Sequence, residues 1–261
     1  MECEYDADAP WRRRQHLRMA AQSCYLPRHA EDAHFILADS GVVGVADGVG
    51  GYHSDGVDAS AFSRTLMHNA YTEVAALAPP GTHAVCPLAL LDRAYRKTVE
   101  SRTPAGSTAV ILSLAGGTLR WAYVGDSGFA VFRDGRLFRR SRPQQHEFNC
   151  PYHLSSKVTS ASISHADVGE VAAMEGDVVV VGTDGLFDNV SDDEMERVVE
   201  MGAAIGFSPK NMADVIAGVA YEASRCSYRD TPYSVARRKE RGTTSTGGKA
   251  DDITVIVAFI V

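Results

Sequence analysis

Cysteine is scarce in this chain and shows no pairing pattern. The five cysteines, Cys3, Cys24, Cys86, Cys150 and Cys226, are odd in number and widely scattered, and none forms a CxxC pair. That argues against a disulfide framework and for reduced thiols in an intracellular protein. An excess of basic charge is also missing. With 26 Lys and Arg against 33 Asp and Glu, the formal charge is -7, so non-specific nucleic-acid binding is disfavoured. The longest apolar run, Ile253–Val261, is about half what a membrane span needs. There is no signal-peptide pattern, no internal repeat at solenoid periods, and no Pro/Ser-rich linker or charge block in the middle of the chain. The basic segment WRRRQHLR follows four acids, Glu2, Glu4, Asp6 and Asp8, and transit peptides avoid acids. It reads as a surface arm, within an irregular stretch over 1–29.

What is present is ordinary globular composition, with a hydrophobic content of 45% that supports one substantial core in a single domain over 30–261. Short apolar runs are separated by turn residues. Strands are expected at 33–38, 42–47, 107–114, 118–124, 128–133, 136–140, 178–182 and 253–261, with Gly116-Gly117, Gly125-Asp126-Ser127 and Asp134-Gly135 between the middle ones. Helices are expected over about 58–77, ended by Pro79-Pro80-Gly81, and after Pro87, Ser191 and Ser208. Pro87 suits a first helical turn, and Ser191 with Glu194 forms a capping-box pattern. Residues 141–176 and 227–250 lack periodicity and read as loops, the first of a length that is usually functional or mobile, the second basic. This order gives an α+β layered sandwich rather than a regularly alternating parallel sheet.

The chemistry gathers at strand ends. VVGVADGVGG ends an apolar run on Asp47-Gly48, VVVVGTDG ends another on Asp184-Gly185, and Asp251-Asp252 stand directly before the last strand. The short turn between the first two strands places Glu31, Asp32 and Asp47 at one end of a hairpin. Each Asp-Gly alone is a turn. Repetition at the ends of three very apolar strands points to a shared site. Two carboxylates about 4 Å apart repel by roughly 4 kcal/mol at an effective dielectric near 20. A cluster of them needs divalent cations, and all-oxygen ligands favour Mg²⁺ or Mn²⁺ over Zn²⁺. A carboxylate bridging two ions lets both polarise one water for in-line attack on phosphorus.

In order along the chain stand Glu31-Asp32 (AEDAHF), Asp47-Gly48 (VADGVGG), Gly106-Ser107-Thr108 (GSTA), Gly125-Asp126-Ser127 (VGDSG), Asp184-Gly185 (TDGLFDN) and Asp251-Asp252 (ADDITV). This ordered set resembles the metal-dependent serine/threonine protein phosphatases of the type 2C (PPM) family over residues 30–261. VADGVGGY, DASAFSRTLM, GDSGF, QQHEFN and TDGLFDN are similar to the branch of the mitochondrial T-cell-activation type 2C phosphatase homologue and its plant and yeast relatives. The resemblance implies a four-layer α-β-β-α sandwich with two central antiparallel sheets, and a monomer acting on phosphoprotein substrates. It implies two Mg²⁺ or Mn²⁺ ions and a weaker third. Asp47 resembles the bridging ligand, the Gly48 carbonyl a ligand of one ion, and Asp184 and Asp251 the ligands of the other; these three Asp are the catalytic set. Asp126 resembles a ligand of the third ion, shared with Asp184. Glu31, Asp32 and Asp252 resemble acids just outside the ions. A mitochondrial location would follow from that branch, with the cytoplasm as the alternative.

The sequence departs from the family twice. Many members carry a phosphate-gripping Arg four residues before the Glu of the Glu-Asp pair; here Pro27 stands there, and Arg28 is the neighbouring candidate. Many follow Asp-Gly with a His that serves as general acid; here Val49 stands there, leaving His53 and His146 as candidates. Residues 141–176 occupy the place of the family's flap. A haloacid-dehalogenase-like reading of GTDGLFDN fails because Gly182 stands where its Asp nucleophile belongs. A phosphatase fold without strong catalysis, binding phosphoproteins or a partner, is the alternative function.

Overall fold

Ten of the strands form two sheets, each of five antiparallel strands. The computed structural model describes residues 17–77, 84–156 and 163–261. One sheet contains β1 (Met19–Leu26), β7 (Gly128–Arg133), β8 (Arg136–Arg140), β13 (Val178–Gly182) and β14 (Ile253–Ile260), in the order β1-β14-β13-β7-β8. The other contains β2 (Ala33–Leu37), β3 (Val42–Ala46), β5 (Ala109–Ala115), β6 (Thr118–Val124) and β12 (Asp167–Ala172), in the order β12-β6-β5-β3-β2. Two short pairs flank them, β4 (Gly106–Ser107) with β11 (Leu154–Ser155), and β9 (Gln145–Glu147) with β10 (Cys150–Pro151).

Period-two alternation explains the layers. Val43 and Val45 of β3 meet Val179 and Val181 of β13 and Ile256 and Ala258 of β14 between the sheets. Their neighbours Val42 and Ala46 face the other way, onto Phe62, Leu66 and Leu91 of α1 (Ser60–Ala75) and α2 (Pro87–Glu100). On the opposite side Val178, Val180, Val255 and Val257 pack on Met195 and Val199 of α4 (Asp192–Ala204), and on Met212 and Ile216 of α5 (Pro209–Arg225). The result is the expected sandwich of helices, sheet, sheet and helices. No described helix is long and apolar enough to cross a membrane.

Most expected elements appear within two residues of their expected ends. Ser191 and Glu194 form the reciprocal cap of α4, and Pro87 and Pro209 begin their helices. Pro79-Pro80-Gly81 lies outside the described residues. Three stretches differ. The arm over 1–29 is not irregular throughout: Met19 to Leu26 pair with Ile260 to Ile253 in unbroken register as β1. Its small and polar residues give no strand signal, and β14 supplies the hydrogen-bond template. The basic stretch 227–250 contains a further helix, α6 (Pro232–Arg241), capped by Thr231 and closed by Gly242 at φ 62°. Only Ser234 of α6 is buried, so no apolar stripe announces it. The loop 141–176 holds β9 to β12; β12 is an edge strand whose Val168 is 52% exposed, which hides its alternation.

Candidate active site

The sheet register carries the acids to one end of the sandwich. Ala33 pairs with Ala46, so Asp32 and Asp47 leave β2 and β3 side by side. Gly182 pairs with both Gly128 and Val255, which brings the turn after β13 beside the turn before β7 and the start of β14. A cleft of about 330 Å³ opens there, lined by Glu31, Asp47, Gly48, Asp126, Asp184 and Asp251 among others.

The GST segment holds the first acid in place. Asp47 N–H donates to Thr108 Oγ1 at 3.1 Å, and Thr108 N–H donates to the Asp47 carbonyl at 2.9 Å. Thr108 Oγ1 also shares a 2.6 Å bond with Ser127 Oγ, tying the GST and GDS motifs together. Glycine follows two of the acids for a steric reason. A Cβ on Gly48 would lie 2.5 Å from the Ala59 carbonyl oxygen, and one on Gly185 would strike the Asp252 carbonyl. Neither glycine uses a left-handed backbone.

The acids divide into satisfied and unsatisfied ones. Asp252 accepts backbone N–H bonds from Arg28, from His29 at 2.8 Å, Ala30 at 3.1 Å and Glu31 at 2.6 Å. Burial opposes its charge, but those four donors hold its carboxyl below the usual carboxylate range. Asp32 is buried and only half satisfied: its Oδ2 accepts the hydroxyls of Thr183 at 2.8 Å and Thr254 at 2.7 Å, while its Oδ1 has no hydrogen-bond partner, and burial pushes its carboxyl well up. In the cleft, Asp126 Oδ1 and Asp184 Oδ1 are likewise buried without a hydrogen-bond partner. Burial, then the charges of Asp32, Asp184, Asp251 and Asp126, push Asp47 well up. Burial and Asp184 push Asp126 up to about 7, and burial and Asp184 likewise raise Asp251.

Two residues that motif reading passed over complete the cluster. Asp188, on the turn after α3 (Asp184–Phe187), is raised to about 8 by burial and by Asp184. Lys249 places its Nζ against Asp184, 3.0 Å from Asp251 and 3.4 Å from Asp188. The signal for Asp188 was the second acid of TDGLFDN; Lys249 stands two residues before Asp251 and looked like part of a solvated basic loop. Among the described residues no three His, Cys, Asp or Glu side chains close into a ready metal cage. Asp184, Asp188 and Asp251 close instead around this ammonium. The fit to divalent ions is therefore good in donor chemistry, with all-oxygen ligands, buried unpartnered carboxylate oxygens, and a cation already drawn among them.

The structure brings some of the remaining candidates in and leaves others out. Glu31 reaches the cleft, and its Oε1 bonds His53 Nε2; both line the cavity. Arg28 does not line it. Its side chain bonds His29 at 3.2 Å, and its contribution is the backbone N–H given to Asp252. His146 packs edge-on against Tyr152 with ring centroids 4.0 Å apart and is also absent from the cleft wall. Of the three, the structure brings His53 to the cleft wall and leaves the Arg28 and His146 side chains off it. Lys249 is the one Lys or Arg among the described residues that lines the cleft.

Comparison with known proteins agrees with this geometry. The family model described as protein phosphatase 2C matches residues 28–214, well over half of the chain. The chain belongs to the protein phosphatase 2C family. One protein phosphatase 2C of Oryza sativa subsp. japonica is 58% identical over 261 residues, covering 100% of this chain and 81% of that protein. Another from the same organism is 55% identical over 95% of this chain and 76% of its own length. Among solved structures, the photosystem II phosphatase PBCP shares 33% identity and a TM-score of 0.82, over 93% of this chain and 99% of that one. The catalytic domain of the serine/threonine phosphatase PstP with two manganese ions shares the fold, with a TM-score of 0.63 at 22% identity over 94% of this chain and 99% of that one. The phosphatase is thus a protein serine/threonine phosphatase by family, with two antiparallel sheets between helical layers.

Proposed function

We propose that this phosphatase hydrolyses phosphoserine and phosphothreonine in proteins with two divalent ions, Mg²⁺ or Mn²⁺, held at the cleft. The observation that carries the reading is the pooling of Asp47, Asp126, Asp184 and Asp251 at one mouth, with Asp126 Oδ1 and Asp184 Oδ1 buried and unpartnered. The manganese pair in PstP, a structure of the same fold, supports it. Asp47 would bridge the ions, the Gly48 carbonyl would serve one, and Asp184 and Asp251 the other. Asp126 and Asp184 would hold a weaker third. The ions, when bound, supply Lewis-acid activation of water and neutralise phosphoryl charge.

The chain's own groups do the rest. Thr108 fixes the backbone of Asp47 through the two bonds described above. Asp252 and Asp32 tie the Glu31 segment to the starts of β14 and α3, so the rim of the cleft cannot drift from the carboxylates. His53, bonded to Glu31 and lining the cleft, would pass a proton to the departing serine or threonine oxygen. A second cleft of about 540 Å³ shares Asp126, Asn149 and Asp184 with the first. It runs past Phe148 and Tyr233 and gives a protein substrate room beside its phosphate. The binding-only alternative loses support, because every carboxylate of the set is present and aimed at the cleft.

The test is hydrolysis of p-nitrophenyl phosphate and phosphoserine peptides with Mn²⁺ or Mg²⁺. Activity should require the ion and stop on chelation; turnover unchanged in excess EDTA contradicts the reading. His53→Gln should slow phosphoserine peptides more than p-nitrophenyl phosphate, whose leaving group needs no proton. A mitochondrial location rests on the family resemblance alone. Imaging a tagged full-length product tests it, and a signal confined to another compartment counts against it.

A further inference from the structure

Lys249 is built into the acidic cluster rather than resting near it. Its backbone is clamped to Asn189: the Lys249 N–H donates to Asn189 Oδ1 at 2.9 Å, and its carbonyl accepts from Asn189 Nδ2 at 2.8 Å. Asn189 Nδ2 also donates to the Gly185 carbonyl at 2.8 Å, so one buried amide fixes Lys249 against the turn that carries Asp184. The side chain is 19% exposed. From this anchor Nζ pairs with Asp184, with Asp251 at 3.0 Å and with Asp188 at 3.4 Å. An ammonium has three donors and no acceptor, so this seat uses its whole bonding capacity on three carboxylates. Burial disfavours the charged lysine, and the charges of Asp184, Asp188 and Asp251 outweigh it, so the side chain stays protonated.

Two of those three carboxylates, Asp184 and Asp251, are the ones assigned above to a single divalent ion. An ammonium and an ion cannot share them without close like-charge contact. We propose that Lys249 is a tethered counter-ion that occupies this seat in the metal-free protein, and that it must swing out for the ion to bind. The lysine thereby sets the metal affinity of the Asp184–Asp251 position. The inference rests on the two-ion reading of the cleft. The four-carbon stem allows the swing while the Asn189 clamp keeps the backbone in place. Two consequences follow from the charge balance. Without metal, Lys249 offsets the mutual repulsion of the carboxylates and stabilises the fold. With metal, it competes, so wild-type affinity is weaker than the carboxylates alone would give.

The experiment compares EDTA-stripped wild-type, Lys249→Met and Lys249→Arg proteins by calorimetric titration with Mn²⁺ and by thermal unfolding. Lys249→Met should bind one ion at least tenfold more tightly. It should unfold several degrees lower than wild type in EDTA, and the gap should close at saturating Mn²⁺. Lys249→Arg should keep wild-type metal-free stability and should not gain affinity. Should the Met protein not survive stripping, Mn²⁺ release into excess chelator is timed from the loaded proteins; slower release from Lys249→Met supports the proposal. Equal or weaker affinity in Lys249→Met, or equal or faster release, overturns it. A wild type that binds no Mn²⁺ overturns the two-ion reading and the lysine's role together. Two-ion binding that is blind to Lys249 overturns the lysine's role alone.

Discussion

Asp251 and Asp252 are consecutive residues at the start of the same strand, and they belong to two different regions of the molecule. Asp252 sits in a ring of backbone N–H groups from Arg28 to Glu31. Asp251 faces the cleft, where its company is Asp184 and the ammonium of Lys249. Ala30 adopts φ 62°, outside the usual range for a residue with a Cβ, and so the chain can wrap the Asp252 carboxylate. The lesson is that a carboxylate's role is fixed by whether the backbone supplies its donors. Where it does, the acid is a joint between the segment before β2 and the last strand. Where it does not, the acid depends on a cation.

The sharpest way to break this comparison is to remove charge from each region and read both activity and stability. Asp47→Asn and Asp184→Asn should each lower Mn²⁺-dependent turnover by at least a thousandfold, about 4 kcal/mol of barrier. In EDTA both should unfold within about 1 kcal/mol of wild type, since each relieves repulsion. Wild-type turnover in either variant contradicts the assignment. Asp252→Ala should instead cost about 3 kcal/mol of stability in urea unfolding, because four backbone donors lose a charged acceptor. A stability loss below about 1 kcal/mol would place Asp252 with the cleft acids.

The two regions should also respond to pH in opposite senses. Asp126 and Asp188 are raised in the folded chain to about 7 and about 8, against about 4 when unfolded. Between those values the folded chain holds more protons, so metal-free stability is greatest near pH 4 and falls as pH rises toward 8. The loss should shrink with Mn²⁺ bound, because the ion takes over the neutralising role of the protons. Asp252, held below its unfolded value, contributes stability that is present above about pH 4 and is lost at lower pH as it protonates. Thermal unfolding in EDTA from pH 3 to 9 checks both limbs; a flat profile above pH 5 contradicts the raised acids. The smallest effect belongs to the support beneath them. Thr183→Val removes one of two hydroxyls on Asp32 and should cost about 1 kcal/mol in urea unfolding, with turnover changed less than tenfold.

Much of this was legible in the sequence because strand ends and turn residues are local signals. Asp47, Asp126, Asp184 and Asp251 each stand beside a short apolar run bounded by turn residues, and the short turn at 39–41 placed Glu31 and Asp32 beside Asp47. The sandwich followed from the order of those runs and the helices between them. What was not legible depends on partners distant in the chain. β1 exists because β14 pairs with it, and its own residues give no strand pattern. α6 buries only Ser234, so it has a cap but no stripe. Arg28 was a candidate by sequence proximity to Pro27, yet what it gives the site is a backbone N–H rather than its guanidinium. Lys249 and Asp188 meet across 61 positions, and nothing in a basic, glycine-rich stretch shows that one lysine turns inward.

The central claim is that the unsatisfied acids form a seat for two ions. The most direct measurement is an anomalous difference map from crystals of the protein grown with Mn²⁺. The account predicts two strong peaks in the cleft, both touching Asp47, with one of them also touching Asp184 and Asp251, and with Lys249 Nζ moved off those two carboxylates. No peak in the cleft at millimolar Mn²⁺, with Lys249 still seated on Asp184 and Asp251, would contradict it.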